Sequence, residues 1–424
     1  MSAFNYLDRS VLGLALPLIK SQLQLSDTVL GLVIGLTFVL FYSLLGVPIA
    51  WAADRWNRRD IIAVGFAFWS LMTMATGLVV NVWQLATARF LMGAGEACGI
   101  APSNSMLADL FGKARRPLAL AIFGTAYSIA LVLFYPILGW IGQHHGWRAM
   151  FVFAGAPGLL LATIFYCTVS EPRRGASDAQ SGALGPADAP SPQRLEPQPF
   201  LTTLRFLAGS RAYLLILLGV AFMGADIYAA GAWNPTFLRR VHQLTLTQIA
   251  SSIGPTLGLL GAAGILLGGT LASRLGRRDG RWRLRVPAIA CFLVGPAQLL
   301  FLLGDALPVW MSGFALTSLL TLMHQGPIYA AAMNIAPPRM RAVATSLILM
   351  CASLLGQVMG PLLVGFLSDR LNPALGDLSI RYAMLVTVGC AMAAGASFWG
   401  AVRYVERDTQ RAGALVGMAP GAEA

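Results

Sequence analysis

The chain reads as an all-α membrane protein, with twelve transmembrane helices in two pseudo-twofold-related six-helix bundles. Three observations predict this. Of 424 residues, 57% are hydrophobic and only 11% charged, where a soluble domain carries about 25% charged residues; the mean hydropathy is +0.68. Apolar runs of about 20 residues, the length that crosses a bilayer core, recur twelve times between charges or turn signals. The basic residues also alternate from one connection to the next. Arg55/Arg58/Arg59, Lys113/Arg115/Arg116, Arg173/Arg174/Arg194/Arg205/Arg211, the arginines from Arg274 to Arg285, Arg339/Arg341 and Arg403/Arg407/Arg411 fall on one side. Only Lys20, Arg148, Arg239, Arg240, Arg370 and Arg381 fall on the other, and Arg9 and Arg89 lie inside spans. By the positive-inside rule both termini are expected in the cytoplasm.

The spans are predicted at 3–22, 28–52, 61–80, 83–107, 117–141, 149–169, 212–236, 246–272, 285–304, 307–332, 342–366 and 382–403. Their length and uniform apolarity exclude the short alternating strands of a β-barrel. The first carries Asp8 and Arg9 near its start and no small-residue cleavage motif follows, so it is not a removable signal peptide. Between the sixth and seventh spans, Glu171 to Phe200 is rich in Pro, Ala, Gly, Ser and Gln, which predicts a flexible linker. The resulting organisation is a bundle over 1–170, a cytoplasmic linker over 171–211, a second bundle over 212–403 and a tail over 404–424, expected to be disordered from Arg407. Cys98, Cys167, Cys291, Cys351 and Cys390 are scattered through spans without a pairing or metal-ligand spacing and read as buried small hydrophobes.

The two halves repeat each other. Arg55, Arg58 and Arg59 after the second span match Arg274, Arg277 and Arg278 after the eighth at an offset of 219, and Pro102, Arg116 and Pro136 match Pro327, Arg341 and Pro361 at an offset of 225. In the second register Glu96 corresponds to Thr321 and Arg89 to Phe314, so the frame was kept and the charges were not.

The fourth span holds the most informative residues. Arg89 and Glu96 are seven residues, two helical turns, apart, so they share a face. A charge at mid-bilayer costs about 2.5–3.5 kcal/mol even on the lenient insertion scale, and such residues normally face a bundle interior or a watery cavity. With Asp8 and Arg9 they form two acid–base sets in one half. Burial disfavours a charged carboxylate and a neighbouring arginine favours it, and that balance suits a group that takes and releases a proton. Asp8 and Glu96 are therefore the expected proton carriers, tuned by Arg9 and Arg89, which stay charged and can contact an anionic substrate. A static ion pair that fixes helix packing is the alternative. In the seventh span Asp226, within Gly224-Ala-Asp-Ile-Tyr228, is expected at the substrate cavity with Tyr228, or else as a polar residue held by a neighbouring helix. His324 and Gln325 could bind a polar head group, or His324 could be a packing residue. Gly93 and Gly95 sit mid-helix after no strand, so they read as close helix packing and not as a phosphate loop.

Asp54-Arg55-x-x-Arg58-Arg59 is similar to the loop motif that follows helix two in the major facilitator superfamily, and Arg89-Phe-Leu-Met-Gly-Ala-Gly-Glu96-Ala is similar to its helix-four motif. Asn5-Tyr6-Leu7-Asp8-Arg9, with Gly-Glu96-Ala and Ala-Pro102…Ala-Asp109-Leu-Phe111, most resembles the spinster branch; the first of these elements also occurs in anion:cation symporters. The resemblance implies a proton-coupled secondary transporter working by alternating access, with Asp54, Arg55 and Arg58 as a cytoplasmic latch. It also implies an amphipathic lipid-like substrate, of the lysophospholipid or sphingoid phosphate class, whose tail would lie near Phe38, Phe41, Tyr42 and Phe134. The alternatives are a proton:organic-anion symporter and a gradient-independent scramblase or sensor. Ala50 and Ser273 stand where the loop motif favours Gly and Asp, which confines an Asp-based latch to the first half. No G-x-x-x-x-G-K-[ST], H-E-x-x-H or G-x-S-x-G element is present, so ATP-driven pumping and familiar hydrolysis lose support. The expected protein is not an enzyme, takes no cofactor or metal and binds no nucleic acid. Its expected partners are substrate, protons and membrane lipid, as a monomer in a bacterial inner membrane.

Overall fold

The computed structural model describes residues 2–111, 115, 119, 122, 123, 125–172, 200–337 and 340–417. Every regular element among them is a helix. Twelve helical stretches follow the predicted spans: α1 Ser2–Leu23, α2 27–55, α3 Arg58–Thr76, α4 82–110, α5 126–145, α6 147–168, α7 Arg211–Val241, α8 Leu246–Gly276, α9 Trp282–Leu303, α10 307–335, α11 341–375 and α12 379–402. Residues 117, 118, 120, 121 and 124 of the predicted fifth span lie outside the described residues. So do 173–199 of the linker, 418–424 of the tail, and Lys113, Arg116, Arg173, Arg174, Arg194 and Arg339 of the basic connections.

Among the described residues, seven helical runs are long and apolar enough to cross a membrane by themselves. Two of these, Ala126–Thr168 with 43 residues and Val343–Val402 with 60, far exceed the roughly 20 residues of one crossing, so each holds two. The first run is broken at Gly146, whose φ of +80° is a left-handed conformation open to glycine at no steric cost. The remaining three are α1, with Asp8, Arg9 and Lys20; α3, which starts Arg58-Arg59-Asp60; and α4, split at Cys98–Gly99 into Val82–Ala97 and Ile100–Leu110. Short connections are terminated by side-chain caps. Ser26 Oγ accepts from the Val29 amide at 3.2 Å, Asn57 Oδ1 from Asp60 at 3.2 Å and Asn81 Oδ1 from Gln84 at 2.9 Å, each supplying an acceptor to a helix start that lacks one.

The residues divide into two compact units: the described part of Met1–Gln193 with Gly231–Gly258, and the described part of Arg194–Ala230 with Leu259–Ala424. The first unit thus takes in the end of α7 and the start of α8. There the packing is close: a Cβ on Gly13 of α1 would stand 2.6 Å from the Gly231 carbonyl oxygen of α7. The backbone amide of Leu246 donates to Gln143 Oε1 at 3.1 Å, and Trp147 Nε1 donates to Gln22 Oε1 at 2.6 Å. Gly93 and Gly95 do serve close packing. A Cβ on Gly93 would meet the Phe38 carbonyl oxygen of α2 at 2.5 Å, and one on Gly95 would meet Trp69 of α3 at 2.8 Å.

The second unit adds one helix to the linker and corrects the expectation for the tail. Phe200–Ala208, in the predicted cytoplasmic linker over 171–211 and touching its flexible stretch only at Phe200, is a helix with Thr203, Phe206 and Leu207 turned inward. Val405–Gly417, largely within the tail expected to be disordered, is also a helix. Its physical basis is legible afterwards: Glu406 and Asp408 occupy its first turn, where the helix dipole favours acids, and Val405, Asp408 and Ala412 form one buried face. Asp408 Oδ2 accepts from Ser210 Oγ at 2.6 Å and from the Ala212 amide at 2.9 Å, so the terminal helix caps the start of α7.

Candidate functional site

The first unit brings all four predicted charges together. Arg9 of α1 donates from Nε to Glu96 Oε2 of α4 at 2.7 Å, and its Nη2 is also 2.7 Å from that oxygen. Asp8 interacts with both Glu96 and Arg89, and Arg89 lies within the influence of all three others. Both guanidiniums stand over the Phe38 ring of α2, Arg9 Cζ at 4.8 Å and Arg89 Cζ at 5.3 Å from its centroid. Arg9 also lies 5.0 Å from the Tyr42 centroid, and Tyr42 stacks on Phe38 at 5.7 Å. Such contacts hold a guanidinium at a weakly polar surface without neutralising it.

Accessibility distinguishes the members. Asp8, Arg89 and Glu96 are sealed, while the Arg9 side chain is 22% exposed against 0% for Glu96. Arg9 is therefore the part of the cluster that something outside the protein can touch. The interior of the cluster is also short of hydrogen bonds. Arg89 Nε has no hydrogen-bond partner among the described residues, and the acids are held only loosely, by Asn5 at Glu96 and from α3 at Asp8, where buried polar groups are normally well satisfied. Trp69 and Thr73, four residues apart on one face of α3, turn toward Asp8. Sequence reasoning missed both, and their spacing was the available signal. The other predicted aromatics of this unit are half-buried: Phe41 pairs with Phe90 at 3.6 Å between centroids and Phe134 with Phe4 at 5.3 Å.

Asp226, Tyr228, His324 and Gln325 lie in the second unit. Asp226 is buried and accepts from Gln298 Nε2 of α9 at 2.5 Å, a partner not foreseen. His324 shares a hydrogen bond at 2.7 Å through Nδ1 with the Thr321 carbonyl and stacks on Phe398 at 6.2 Å, contacts typical of a packing histidine. Tyr228 and Gln325 are half-buried.

At the latch, the Asp54 side chain lies outside the described residues. Arg55 is exposed and stacks on Trp51, with Cζ 4.0 Å from the ring. Arg58 is buried and engaged within its own unit: it donates to Asp109 Oδ2 at 2.6 Å, to Ser105 Oγ at 2.9 Å and to Glu171 Oε1 at 2.7 Å. Burial opposes the charge of Arg58, but its bonds to Asp109 and Glu171 outweigh it and hold its pKa above the ordinary value. A second, unforeseen cluster sits at the opposite end of α2. Arg240 of α7 grips Asp27 of α2 with two bonds of 2.8 and 2.7 Å, and Lys20 of α1 adds a third at 2.7 Å.

Similarity to known proteins agrees with this arrangement. An "MFS-type efflux pump" of Mycolicibacterium smegmatis is 29% identical over 409 residues, covering 96% of this chain and 92% of that protein. Protein spinster homolog 1 of Mus musculus is 27% identical over 436 residues, covering 97% of this chain and 80% of its own. A crystal structure of a bacterial homologue of the human lysosomal transporter spinster, inward-facing and unoccupied, superimposes with a TM-score of 0.82 at 27% identity, covering 96% of both chains. The family model of the Major Facilitator Superfamily matches residues 1–361, which takes in the whole charge cluster and both copies of the loop repeat. With twelve helices, a duplicated frame and these likenesses, the chain belongs to the Major Facilitator Superfamily and is a multi-pass membrane transporter of that class.

Proposed function

We propose that the chain is a proton-coupled secondary transporter of amphipathic, lipid-like anions, acting by alternating access in a bacterial inner membrane with both termini cytoplasmic. One observation carries this reading: sealed acids beside a single partly exposed arginine, Arg9, that is already bonded to one of them. The formal charges of Asp8, Arg9, Arg89 and Glu96 cancel. A proton on Glu96 removes the reason for Arg9 to hold it and leaves the cluster with one unbalanced positive charge. An anionic head group on Arg9 restores the balance, so proton and substrate each favour binding of the other, which is a coupling free energy in the strict sense. Asp8, between Glu96 and Arg89, is the second site that can receive the proton. Tyr42, Phe41 and Phe134, all half-buried, offer the apolar surface for a tail, whereas Phe38, expected in the same lining, is fully buried. The spinster likeness supports a lysophospholipid or sphingoid phosphate as substrate.

Asp54, Arg55 and Arg58 form the cytoplasmic latch in this reading, with Asp109 and Glu171 holding Arg58 in place within the first unit. A small organic anion is the second reading, since the partly exposed guanidinium of Arg9 suits a carboxylate as well as a phosphate. The test is uptake of a fluorescent lysophospholipid into proteoliposomes with and without an imposed pH difference. Gradient-dependent uptake, competed by lysolipids and not by sugar acids, is expected. Movement indifferent to the pH difference would replace the reading with a scramblase.

A further inference from the structure

The second unit buries one carboxylate in a membrane helix that the proton cycle proposed above does not use. Asp226 of α7 is 1% exposed. No Lys, Arg or His among the described residues pairs with it, and its hydrogen bond comes from Gln298 Nε2 on α9 at 2.5 Å. Among the described residues, the elements packed around it bring no cation to its carboxyl. Cys291 of α9 and Cys390 of α12 face it, and α11 closes against the adjacent Gly224 and Ala225 with Ala352, Gly356 and Gly360. Gln298 is itself buried, and its Oε1 has no hydrogen-bond partner among the described residues.

A proton accounts for these facts together. An isolated ionised carboxylate in an apolar interior is so costly that such groups are normally neutralised. The orphaned amide oxygen tells the same story independently. A carboxylate can only accept hydrogen bonds, whereas a carboxylic acid donates one O–H and still accepts. An ionised Asp226 can take the bond from Gln298 Nε2 but must leave Oε1 stranded. A neutral Asp226 can take that bond and return one from its O–H to Oε1, closing a two-bond ring in which both side chains are satisfied.

We propose that Asp226 and Gln298 bind a proton between them, as a carboxylic acid–carboxamide pair that keeps the interior of the second unit uncharged. The proton comes from water during folding, and the sealed surroundings retain it through the transport cycle. Charge movement is then confined to the acids of the first unit. That last consequence rests on the proposed function; the pair itself does not.

Infrared difference spectroscopy on the full-length protein in lipid nanodiscs, wild type minus Asp226→Asn, tests this directly. The expected result is a carbonyl band of a protonated carboxyl that persists from about pH 6 to about pH 9, a range in which a solvated Asp is fully ionised, and that shifts in Gln298→Leu, where the O–H loses its acceptor. The Asn amide offers the same donor and acceptor as the neutral acid, so Asp226→Asn is expected to melt with the wild type and Gln298→Leu several degrees lower. Should Asp226→Asn not fold, Asp226→Glu replaces it, and a displaced carboxyl band is expected. A carboxylate band at Asp226, a carboxyl band that titrates away within that pH range, or one abolished by sodium would each overturn the proposal. None of these outcomes bears on whether Glu96 carries a transported proton, so the two claims fail separately.

Discussion

The same helical frame is used twice in this chain, with opposite electrostatics. In α4 the frame carries Arg89 and Glu96, held with Asp8 and Arg9 in a cluster short of hydrogen bonds. At the corresponding positions of α10 it carries Phe314, which packs on Phe301 at 5.1 Å, and Thr321, whose carbonyl is bonded to His324. Asp226, an acid buried within a membrane helix of the second unit, has an amide for a neighbour instead of a guanidinium. Duplication therefore preserved what the bundle needs for packing, while the features that cost most inside a membrane survive in one copy only. A cost retained in one copy and shed in the other is the mark of function, because packing alone would treat both alike.

Stability measurements can break or sharpen that contrast. The largest effect is expected at the cluster: Arg89→Ala leaves buried acids without a counter-charge and should cost about 3–5 kcal/mol. Thr321→Val, at the register position of Glu96, removes a hydroxyl already without a partner among the described residues and should stay within roughly 0.5 kcal/mol. Thermal unfolding in detergent checks both, and equal losses would end the contrast between the copies. Next is Asp27→Asn, which loses charge-assisted bonds from Arg240 and Lys20, worth about 1.5–3 kcal/mol each in favourable cases. A cysteine placed near residue 240 should react faster with a soluble maleimide in that variant, as the end of α7 loosens from α2. Asp408→Ala, in the second unit, removes a cap and should cost about 1–2 kcal/mol, read by proteolysis of the terminal helix. The Arg58 cluster should lose stability in Arg58→Lys by a margin that does not change from about pH 6 to about pH 9. A folded pKa above the ordinary value gives stability that is complete below that ordinary value and lost only as pH rises through the folded one. The smallest effect is expected at the exposed Arg281–Glu406 pair, where Arg281→Gln should leave unfolding unchanged, as surface pairs usually contribute little.

Much of this was legible in the sequence because hydropathy, span length and helical spacing are local. The twelve spans follow from apolar runs, and the shared face of Arg89 and Glu96 follows from a spacing of seven. What was not legible depends on partners far apart in the chain. Nothing around Asp27 announces Arg240, 213 residues later, and nothing around Asp226 announces Gln298, 72 residues later. The terminal helix was misread for a related reason: Val405–Gly417 is weakly apolar and gains its order from Ser210 and Ala212, which its own sequence cannot reveal. Likewise, Asp109 and Glu171 were visible as residues but not as the partners of Arg58.

The central claim is that Glu96 takes the transported proton as Arg9 lets it go. Its most direct test is Glu96→Gln in proteoliposomes, comparing pH-driven uptake with exchange of substrate at equal concentration on both sides. The account predicts that gradient-driven uptake is lost while exchange persists, because a neutral glutamine mimics the protonated acid and leaves Arg9 able to bind substrate. Uptake that still responds to the pH difference in this variant would contradict it.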